Sequence, residues 1–213
     1  MDTRSPANVR DQSAANDARH EVLTDSNAQT VRNYLKRLFQ EEARFRSRWI
    51  WELLQNARDA SSANGVCVWL TLKPDRVVFR HDGLPFNYKN IAHLIYHGTT
   101  KYEPSVSGVD PIGQYGTGFL TTHLISKTVW VRGRLDDKKR FNFLLDRRGE
   151  SADDLKSAMD ASWGRFVASC WEAQDPKPIQ TEYEYPLAAG LFDSVNKDIS
   201  DLSNCPGCAF AVN

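Results

Sequence analysis

The sequence has no excess of charge of either sign and no long apolar run. Its 213 residues contain 27 Lys and Arg and 27 Asp and Glu. Overall charge therefore indicates neither a nucleic-acid-binding surface nor an acidic tail. No run approaches the roughly 18 apolar residues of a membrane span, and the first twenty residues lack the apolar stretch of a secretory signal. We expect a protein without a membrane partner, located in the cytoplasm.

Cysteine is also scarce, with four residues that are too few and too unevenly placed for a disulfide framework. Cys205 and Cys208 have the spacing of a redox or zinc motif. No second Cys or His pair follows to complete four zinc ligands, which favours a terminal turn. Cys67 and Cys170 are expected to be buried thiols. The chemistry of the chain is therefore sought in other residues.

The length allows one domain with extensions. Residues 1–20 are polar, with almost no apolar content, and we expect a mobile tail there. Residues 21–190 form the predicted domain. Residues 191–213 are interpreted as a C-terminal extension or the start of a missing region.

Hydrophobic periodicity predicts a succession of helices and strands along this domain. Helices are predicted at 27–45, 47–63, 87–96, 116–126 and 151–163, the last with Ser151 as its N-cap. Hairpins are predicted at 66–80 and 128–145, a last strand at 178–187, and a long loop at 98–112. This order predicts an α/β (α+β) two-layer sandwich, in which helices cover one face of a mixed, mostly antiparallel sheet.

The second predicted helix carries Glu52, Asn56 and Asp59 on one face, because they are spaced four and three residues apart. Ile50, Leu53, Leu54 and Ala57 lie on the opposite stripe. Carboxylates and an amide without a facing Lys or Arg suit a hard cation with oxygen ligands, and a carboxylate beside it could activate water. The alternative for this segment alone is a solvated helix face.

Three glycines, Gly113, Gly116 and Gly118, precede an apolar helix in the segment from Ile112 to Phe119. Without Cβ atoms, such a segment lets backbone N–H groups close around phosphate oxygens, and a helix N-terminus adds a favourable dipole. No Gly-Lys-Ser/Thr follows, so the segment is not a Walker A loop, and it lacks the parallel βαβ setting of a dinucleotide fold. A tight loop is the alternative.

Two further segments lie between these motifs. Residues 80–86 leave a strand with Gly83 allowing a close backbone approach, and residues 97–101 place Lys101 in the long loop. Each alone could be a plain turn. The four segments together, in this order and spacing, favour a nucleotide site.

These four segments resemble the GHKL superfamily of Bergerat-fold ATPases, whose first motif is the Glu-x-x-x-Asn helix matched by Glu52 and Asn56. The resemblance covers about residues 30–187 and is closest to the heat-shock-90-chaperone-like and sacsin-like domains. It implies ATP and Mg²⁺ as ligands, Glu52 as general base and Asn56 as metal ligand, with Asp59 beside them. Lys101, after Thr100, would face the γ-phosphate. The implied phosphate cradle is Gly113, Gln114, Tyr115, Gly116, Thr117, Gly118 and Phe119. Thr181 resembles the family's threonine near the adenine.

One departure from the family concerns the residue that reads the base. The family pattern is Asp-x-Gly-x-Gly, and alignment on Gly83 places His81 at the Asp position and Pro85 at the second Gly. Either the imidazole of His81 accepts the adenine amino group, or a small shift of the loop brings in Asp82. The sequence leaves both open.

The resemblance implies slow ATP hydrolysis that opens and closes the loop as a lid. It also implies a homodimer, or a larger multidomain or multisubunit assembly, formed through residues 20–45. Two alternatives stay open: a nucleotide-binding switch or scaffold without turnover, and a histidine kinase-type catalytic domain. No residue indicates whether the cycle would drive chaperoning, DNA transactions, defence or signalling.

Overall fold

A computed structural model describes residues 6–96, 117–172 and 181–203. This part of the chain forms an α+β structure. The helices are α1 (Pro6–Gln40), α2 (Glu42–Phe45), α3 (Arg48–Asp59), α4 (Tyr88–Tyr96), α5 (Thr117–Leu120), a 3-10 helix (Thr121–Leu124), α6 (Ala152–Ala168) and α7 (Phe192–Ser203). The strands are β1 (Val68–Lys73), β2 (Arg76–His81), β3 (Thr128–Arg134), β4 (Lys139–Asp146), β5 (Trp171–Glu172) and β6 (Thr181–Pro186).

The six strands form one open sheet in the order β1-β2-β6-β3-β4-β5. Every strand pair described is antiparallel, so the expected mixed sheet is entirely antiparallel in this part of the chain. Both predicted hairpins are confirmed. The last of the described strands, β6, lies in the centre of the sheet and joins the two hairpins. Their assembly into one sheet therefore depends on β6.

The two faces of the sheet differ in polarity, as alternation along half-buried strands requires. One face is apolar, and helices pack on it: the ring of Phe166 in α6 lies 5.5 Å from Phe141 in β4, and that of Phe119 in α5 lies 5.3 Å from Tyr183 in β6. The other face carries cross-strand ion pairs, in which Arg132 contacts both Glu182 and Glu184. This arrangement is compatible with a two-layer sandwich.

Helix α1 begins at Pro6, within the segment for which the composition predicted a mobile tail. Proline suits the first helical position because its fixed φ is already helical and its missing N–H is not needed there. Among the described side chains of α1, the first buried one is Thr24, followed by Ala28, Val31, Leu35 and Leu38. A packed helix extends from its end at little cost, because adding a residue is easier than nucleating a new turn. The hydrophobic periodicity of residues 27–45 therefore indicated only the packed half of α1, and the helix ends at Gln40.

Helix α6 confirms the predicted cap and is longer than predicted. The Ser151 hydroxyl accepts a hydrogen bond from the Asp154 N–H at 3.0 Å, and the Asp154 carboxylate accepts one from the Ser151 N–H at 3.1 Å. This reciprocal pair is a capping box. The helix continues past Trp163 to Ala168 because Phe166 is fully buried against the sheet.

Helix α7 lies in the region expected to be an extension, yet it belongs to the packed structure. Val195, Ile199 and Leu202 are buried on one helix face. Asp198 is 6% exposed, and its carboxylate accepts hydrogen bonds from Trp49 Nε1 at 2.9 Å and from the Ser47 hydroxyl at 2.8 Å. The predicted boundary at residue 190 is therefore not a boundary of the core.

Two of the remaining expectations concern cysteines and membranes. Cys67 is exposed, contrary to the expected buried thiol, because it precedes β1 at the edge of the sheet; Cys170 is partly buried. Cys205 and Cys208 lie outside the described residues. Among the helices that are described, none combines the length and apolar character needed to cross a membrane.

Replacement of Asp198 by Ala is expected to destabilise the protein by about 2 kcal/mol, because the buried Trp49 N–H loses its acceptor. Chemical denaturation of the two proteins measures this difference. Asp201→Ala is the matched control, since Asp201 lies on the same helix but is exposed and paired only with Lys197. It should change the free energy of unfolding by no more than about 0.5 kcal/mol. Equal effects of the two substitutions would contradict the role given to Asp198.

Candidate functional site

Helix α3 presents Glu52 and Asn56 at the boundary between the core and the surface. Its inner stripe is confirmed, with Trp49, Ile50, Leu53 and Ala57 buried. The Glu52 side chain is 16% exposed, and Asn56 is partly buried. Asp59, the last helical residue, is exposed and lies 3.6 Å from the guanidinium of Arg58. The structure therefore separates Asp59 from the two more enclosed residues of the predicted face.

Glu52 has a cationic partner that the sequence analysis did not recognise. Arg48, one turn earlier in α3, places Nη2 at 3.2 Å from Glu52 Oε1. Its guanidinium also lies over the Phe45 ring, at 5.6 Å from the ring centroid. The expectation of a face without Lys or Arg is wrong, because an i,i+4 spacing brings Arg48 onto the same helix edge. One carboxylate oxygen of Glu52 is therefore engaged, and the other is available.

The available oxygen of Glu52 lies against the glycine-rich segment. A Cβ built on Gly118 would be 2.0 Å from Glu52 Oε2 and 2.8 Å from Cδ. A side chain at residue 118 would therefore require the Glu52 carboxylate to move. Gly118 therefore allows the first turn of α5 to contact α3, and the Glu-x-x-x-Asn helix meets the last glycine of the predicted cradle.

The loop after β2 closes against the end of α3. The Leu84 N–H donates to the Ala60 carbonyl at 2.6 Å, and a Cβ on Gly83 would be 2.6 Å from that same oxygen. Ala60 in turn donates its N–H to the Asn56 carbonyl at 3.1 Å. The close approach predicted for Gly83 is thus present, and it joins residues 80–86, the segment predicted to read a base, to the turn of α3 that carries Asn56.

His81 and Asp82 have different surroundings. His81 is 3% exposed and shares the buried face of β2 with Val77 and Phe79. Its Nδ1 accepts a hydrogen bond from the Gly83 N–H at 3.3 Å. Burial lowers the pKa of His81 to about 4, although the nearby Asp82 carboxylate acts in the opposite direction. His81 is therefore neutral at pH 7.

Asp82 is turned toward the chain that precedes β1. Its Oδ1 accepts a hydrogen bond from the Cys67 N–H at 2.7 Å, and its own N–H donates to the Cys67 carbonyl at 3.2 Å. These two bonds hold the start of β1 against the exit of β2. Of the two candidates for reading a base, the structure places His81 on the covered side of the sheet and engages Asp82 with backbone.

Thr181 lies directly across from His81, as the β2–β6 register shows. It is 1% exposed, and its Oγ1 is buried without a hydrogen-bond partner among the described residues. Burying a hydroxyl without a partner costs free energy, so such atoms usually contact water or a ligand. The position predicted for Thr181 is therefore one where a polar ligand atom would be favourable.

These contacts join the candidate residues into one ring. Glu52 contacts Gly118; the neighbouring Phe119 ring contacts Tyr183; Tyr183 and Thr181 lie on the same face of β6. Thr181 pairs with His81, and the loop after His81 returns to Ala60 and Asn56. On the α3 side, the ring carries the carboxylate of Glu52 and the amide of Asn56. On the sheet side, it carries two neutral polar side chains, those of His81 and Thr181.

Several predicted site residues lie outside the described part of the chain: Thr100, Lys101, Gly113, Gln114, Tyr115 and Gly116. Thr117 is the first residue of α5. Of the predicted cradle, the structure therefore places the backbone of α5 and the side chain of Phe119. The roles of the other residues stay predictions.

Arg147 is a second charged residue that sequence reasoning missed. It is buried, and it donates hydrogen bonds to the carbonyls of Leu94 and Ile95, in the last turn of α4. Burial lowers the pKa of this guanidinium to about 10, so it stays charged at pH 7 and interacts favourably with the helix C-terminus. Its neighbour Arg148 is exposed and pairs with Asp146. Nothing in the sequence distinguishes the two arginines.

Gly118→Ala is expected to destabilise the protein by up to about 1 kcal/mol, because the added methyl group displaces the Glu52 carboxylate from its ion pair with Arg48. In a Glu52→Ala background the same substitution should cost much less, since the clashing carboxylate is gone. A double-mutant cycle by chemical denaturation measures this coupling. Gly164→Ala in α6 is the matched control, because nothing lies within 4 Å of its added Cβ. Ala is the better helix former, so this control should stabilise by up to about 1 kcal/mol. Additive effects of Gly118→Ala and Glu52→Ala would show that the two residues do not touch.

Comparison with known proteins adds no assignment to this geometry. Neither a scan against protein-family models nor a search of curated proteins finds a match to the chain. The arguments for a function therefore rest on the ring formed by α3, α5, β2 and β6 and on the chemistry of the side chains that line it.

Proposed function

We propose that this chain is a nucleotide-binding domain of the Bergerat type that binds Mg-ATP and hydrolyses it slowly. The observation that carries the proposal is the contact between Glu52 and Gly118. It brings the two motifs that resemble the GHKL superfamily together in space, although they are far apart in the sequence. The antiparallel sheet, with helices packed on its apolar face, is compatible with that fold.

The charged edge of the ring suits the polyphosphate and its cation. Mg²⁺ in nucleotide sites is usually held by one or two protein ligands together with phosphate oxygens and water. Asn56 supplies an amide oxygen beside the Glu52 carboxylate, one turn apart on α3. Bound there, the cation would neutralise phosphate charge, while the backbone at the start of α5 offers N–H groups to phosphate oxygens.

Glu52 is the proposed general base for the attacking water. Its Oε2 points away from the ion pair with Arg48 and toward the glycine-rich segment, where the resemblance would place the phosphates. Positioning of water by a carboxylate and neutralisation of the phosphoryl oxygens are the main contributions that such a site can make. Lys101, if it faces the γ-phosphate as the resemblance implies, would add to the second contribution.

The surface of α1 supports the proposed assembly into a homodimer or larger complex. Val22 and Leu23 are exposed on this helix, and Phe39 is partly exposed near its end. They lie within residues 20–45, the segment for which the resemblance implies exchange between subunits. Val22 and Leu23 are adjacent and leave apolar surface that a partner could cover, whereas Phe39 lies more than four turns away, beneath Lys127.

A non-hydrolysing switch is the second candidate, and the Arg48–Glu52 pair favours it. The guanidinium holds one oxygen of the carboxylate that would have to orient the attacking water. If the pair persists when nucleotide binds, the domain would hold ATP without turning it over.

Calorimetry of Mg-ATP binding, together with phosphate release, tests the proposal on the wild type, Glu52→Gln and Asn56→Ala. We expect the wild type to bind and hydrolyse ATP, Glu52→Gln to bind with turnover at least about 100-fold lower, and Asn56→Ala to lose Mg²⁺-dependent binding. Glu42→Gln is the matched control, as Glu42 is an exposed acid in α2. Binding without turnover in the wild type would favour the switch, and a folded protein that binds no nucleotide would refute both.

Arg48→Met separates the two candidates further. If the ion pair restrains the base, its removal should raise kcat about two- to fivefold with KM unchanged, the effect of one partly exposed pair. Arg46→Met is the control, because Arg46 makes a similar exposed pair with Glu42 at 3.7 Å. Steady-state phosphate release gives both constants. A lower kcat in Arg48→Met would instead mean that Arg48 positions Glu52 for the reaction.

A further inference from the structure

The Nε2 atom of His81 is a hydrogen-bond donor, and the hydrogen bond accepted by Nδ1 explains why. Nδ1 accepts the Gly83 N–H, so in the neutral ring the proton must be on Nε2. Protonation of the ring would add a proton at Nδ1 and leave the Nε2 proton in place. Nε2 is therefore a donor in both charge states.

The surroundings of His81 preserve this arrangement. The Phe79 ring lies 6.3 Å away in an edge contact, and a Cβ on Gly83 would be 3.0 Å from Nδ1. The imidazole is therefore confined between β2 and the loop that follows it. Asp82, whose carboxylate could have supplied an acceptor instead, is engaged by the Cys67 N–H.

Thr181 complements the donor of His81. Its buried hydroxyl has no partner among the described residues and can either donate or accept. The two residues are cross-strand neighbours on the covered face of the sheet. Together they offer one fixed donor beside one adaptable group. A ligand edge with a carbonyl oxygen next to an N–H fits this pair.

We infer that His81 and Thr181 select the carbonyl edge of a 6-oxopurine, so that guanine and hypoxanthine nucleotides bind more tightly than ATP. This inference rests on the proposed function, which places the 6-position of the base at residue 81. The O6 atom would accept from His81 Nε2–H, and the purine N1–H would donate to Thr181 Oγ1. Adenine in the same pose would turn its amino group toward the imidazole N–H, and two donors would face each other without a hydrogen bond.

The test is calorimetry of the wild-type chain with Mg²⁺ and, separately, GTP, ITP and ATP. One hydrogen bond made or lost corresponds to about a tenfold difference in affinity at most. We expect GTP and ITP to bind with Kd values about tenfold lower than that of ATP. ITP lacks the 2-amino group of guanine, so its agreement with GTP assigns the preference to the 6-position.

His81→Asp should reverse the order, because a carboxylate accepts the adenine amino group and repels O6. Asp82→Asn is the matched control and should keep the wild-type order, since its side-chain oxygen can still accept the Cys67 N–H. Thr181→Val should weaken GTP and ITP more than ATP. Circular dichroism confirms that each variant is folded, and the comparison of nucleotides on the wild type stands even if His81→Asp does not fold.

The outcomes separate this inference from the proposed function. Tighter binding of ATP than of GTP and ITP, or equal binding of all three, would overturn the inference and leave the nucleotide site intact. Binding of none of the three by the folded wild type would overturn the proposed function and the inference with it.

Discussion

The contact between the Gly118 backbone and the Glu52 carboxylate is the constraint on which the candidate site depends. It places α5 directly against α3, so close that a side chain on Gly118 would displace the Glu52 carboxylate. Two further contacts hold the ends of the same helix. Asp198 accepts from Trp49 at its start, and the Ala60 carbonyl accepts from Leu84 just beyond its end. Helix α3 is therefore held by three contacts along its length: with α7 near its start, with α5 at Glu52, and with the loop after β2 just beyond its end.

This arrangement makes the position of Glu52 and Asn56 a property of the whole described structure. The buried face of α3 alone would let the helix slide or rotate, because apolar contacts are not directional. Hydrogen bonds have defined geometry. Those that the Asp198 carboxylate and the Ala60 carbonyl accept therefore fix the position of α3 along its axis and its rotation about it. Helix α7, which comes last among the described elements, thus contributes to the placement of the first motif in the chain.

The sequence predicted elements whose signals are local and left out those that depend on distant contacts. The hairpins, α4 and the capping box of Ser151 follow from alternation, helical spacing and one short polar motif. The central place of β6 and the packing of α7 depend on partners far along the chain, which periodicity does not report. Asp198 is another example. From the sequence alone it cannot be distinguished from a solvated acid, because the Trp49 side chain that donates to it is far away in the sequence.

The candidate site was predicted in the same uneven way. Spacing identified Glu52 and Asn56, and glycine identified the close approach at Gly83, because it has no Cβ. Gly118 was predicted as part of a phosphate cradle, and its contact with Glu52 was not predicted. The ion pair with Arg48 was available from an i,i+4 spacing and was overlooked, whereas the burial of Arg147 has no local signal.

The two edges of the site also differ in the charge that their surroundings tolerate. Glu52 is partly exposed and has a guanidinium partner in Arg48. His81 is nearly fully buried beside Phe79, where a carboxylate without a cation would be strongly disfavoured and a neutral imidazole is not. A histidine at this position therefore places no charge in the sheet and, with Nδ1 accepting the Gly83 N–H, presents a donor at Nε2. The stability of the fold and the hydrogen-bonding character of the site are set by the same residue.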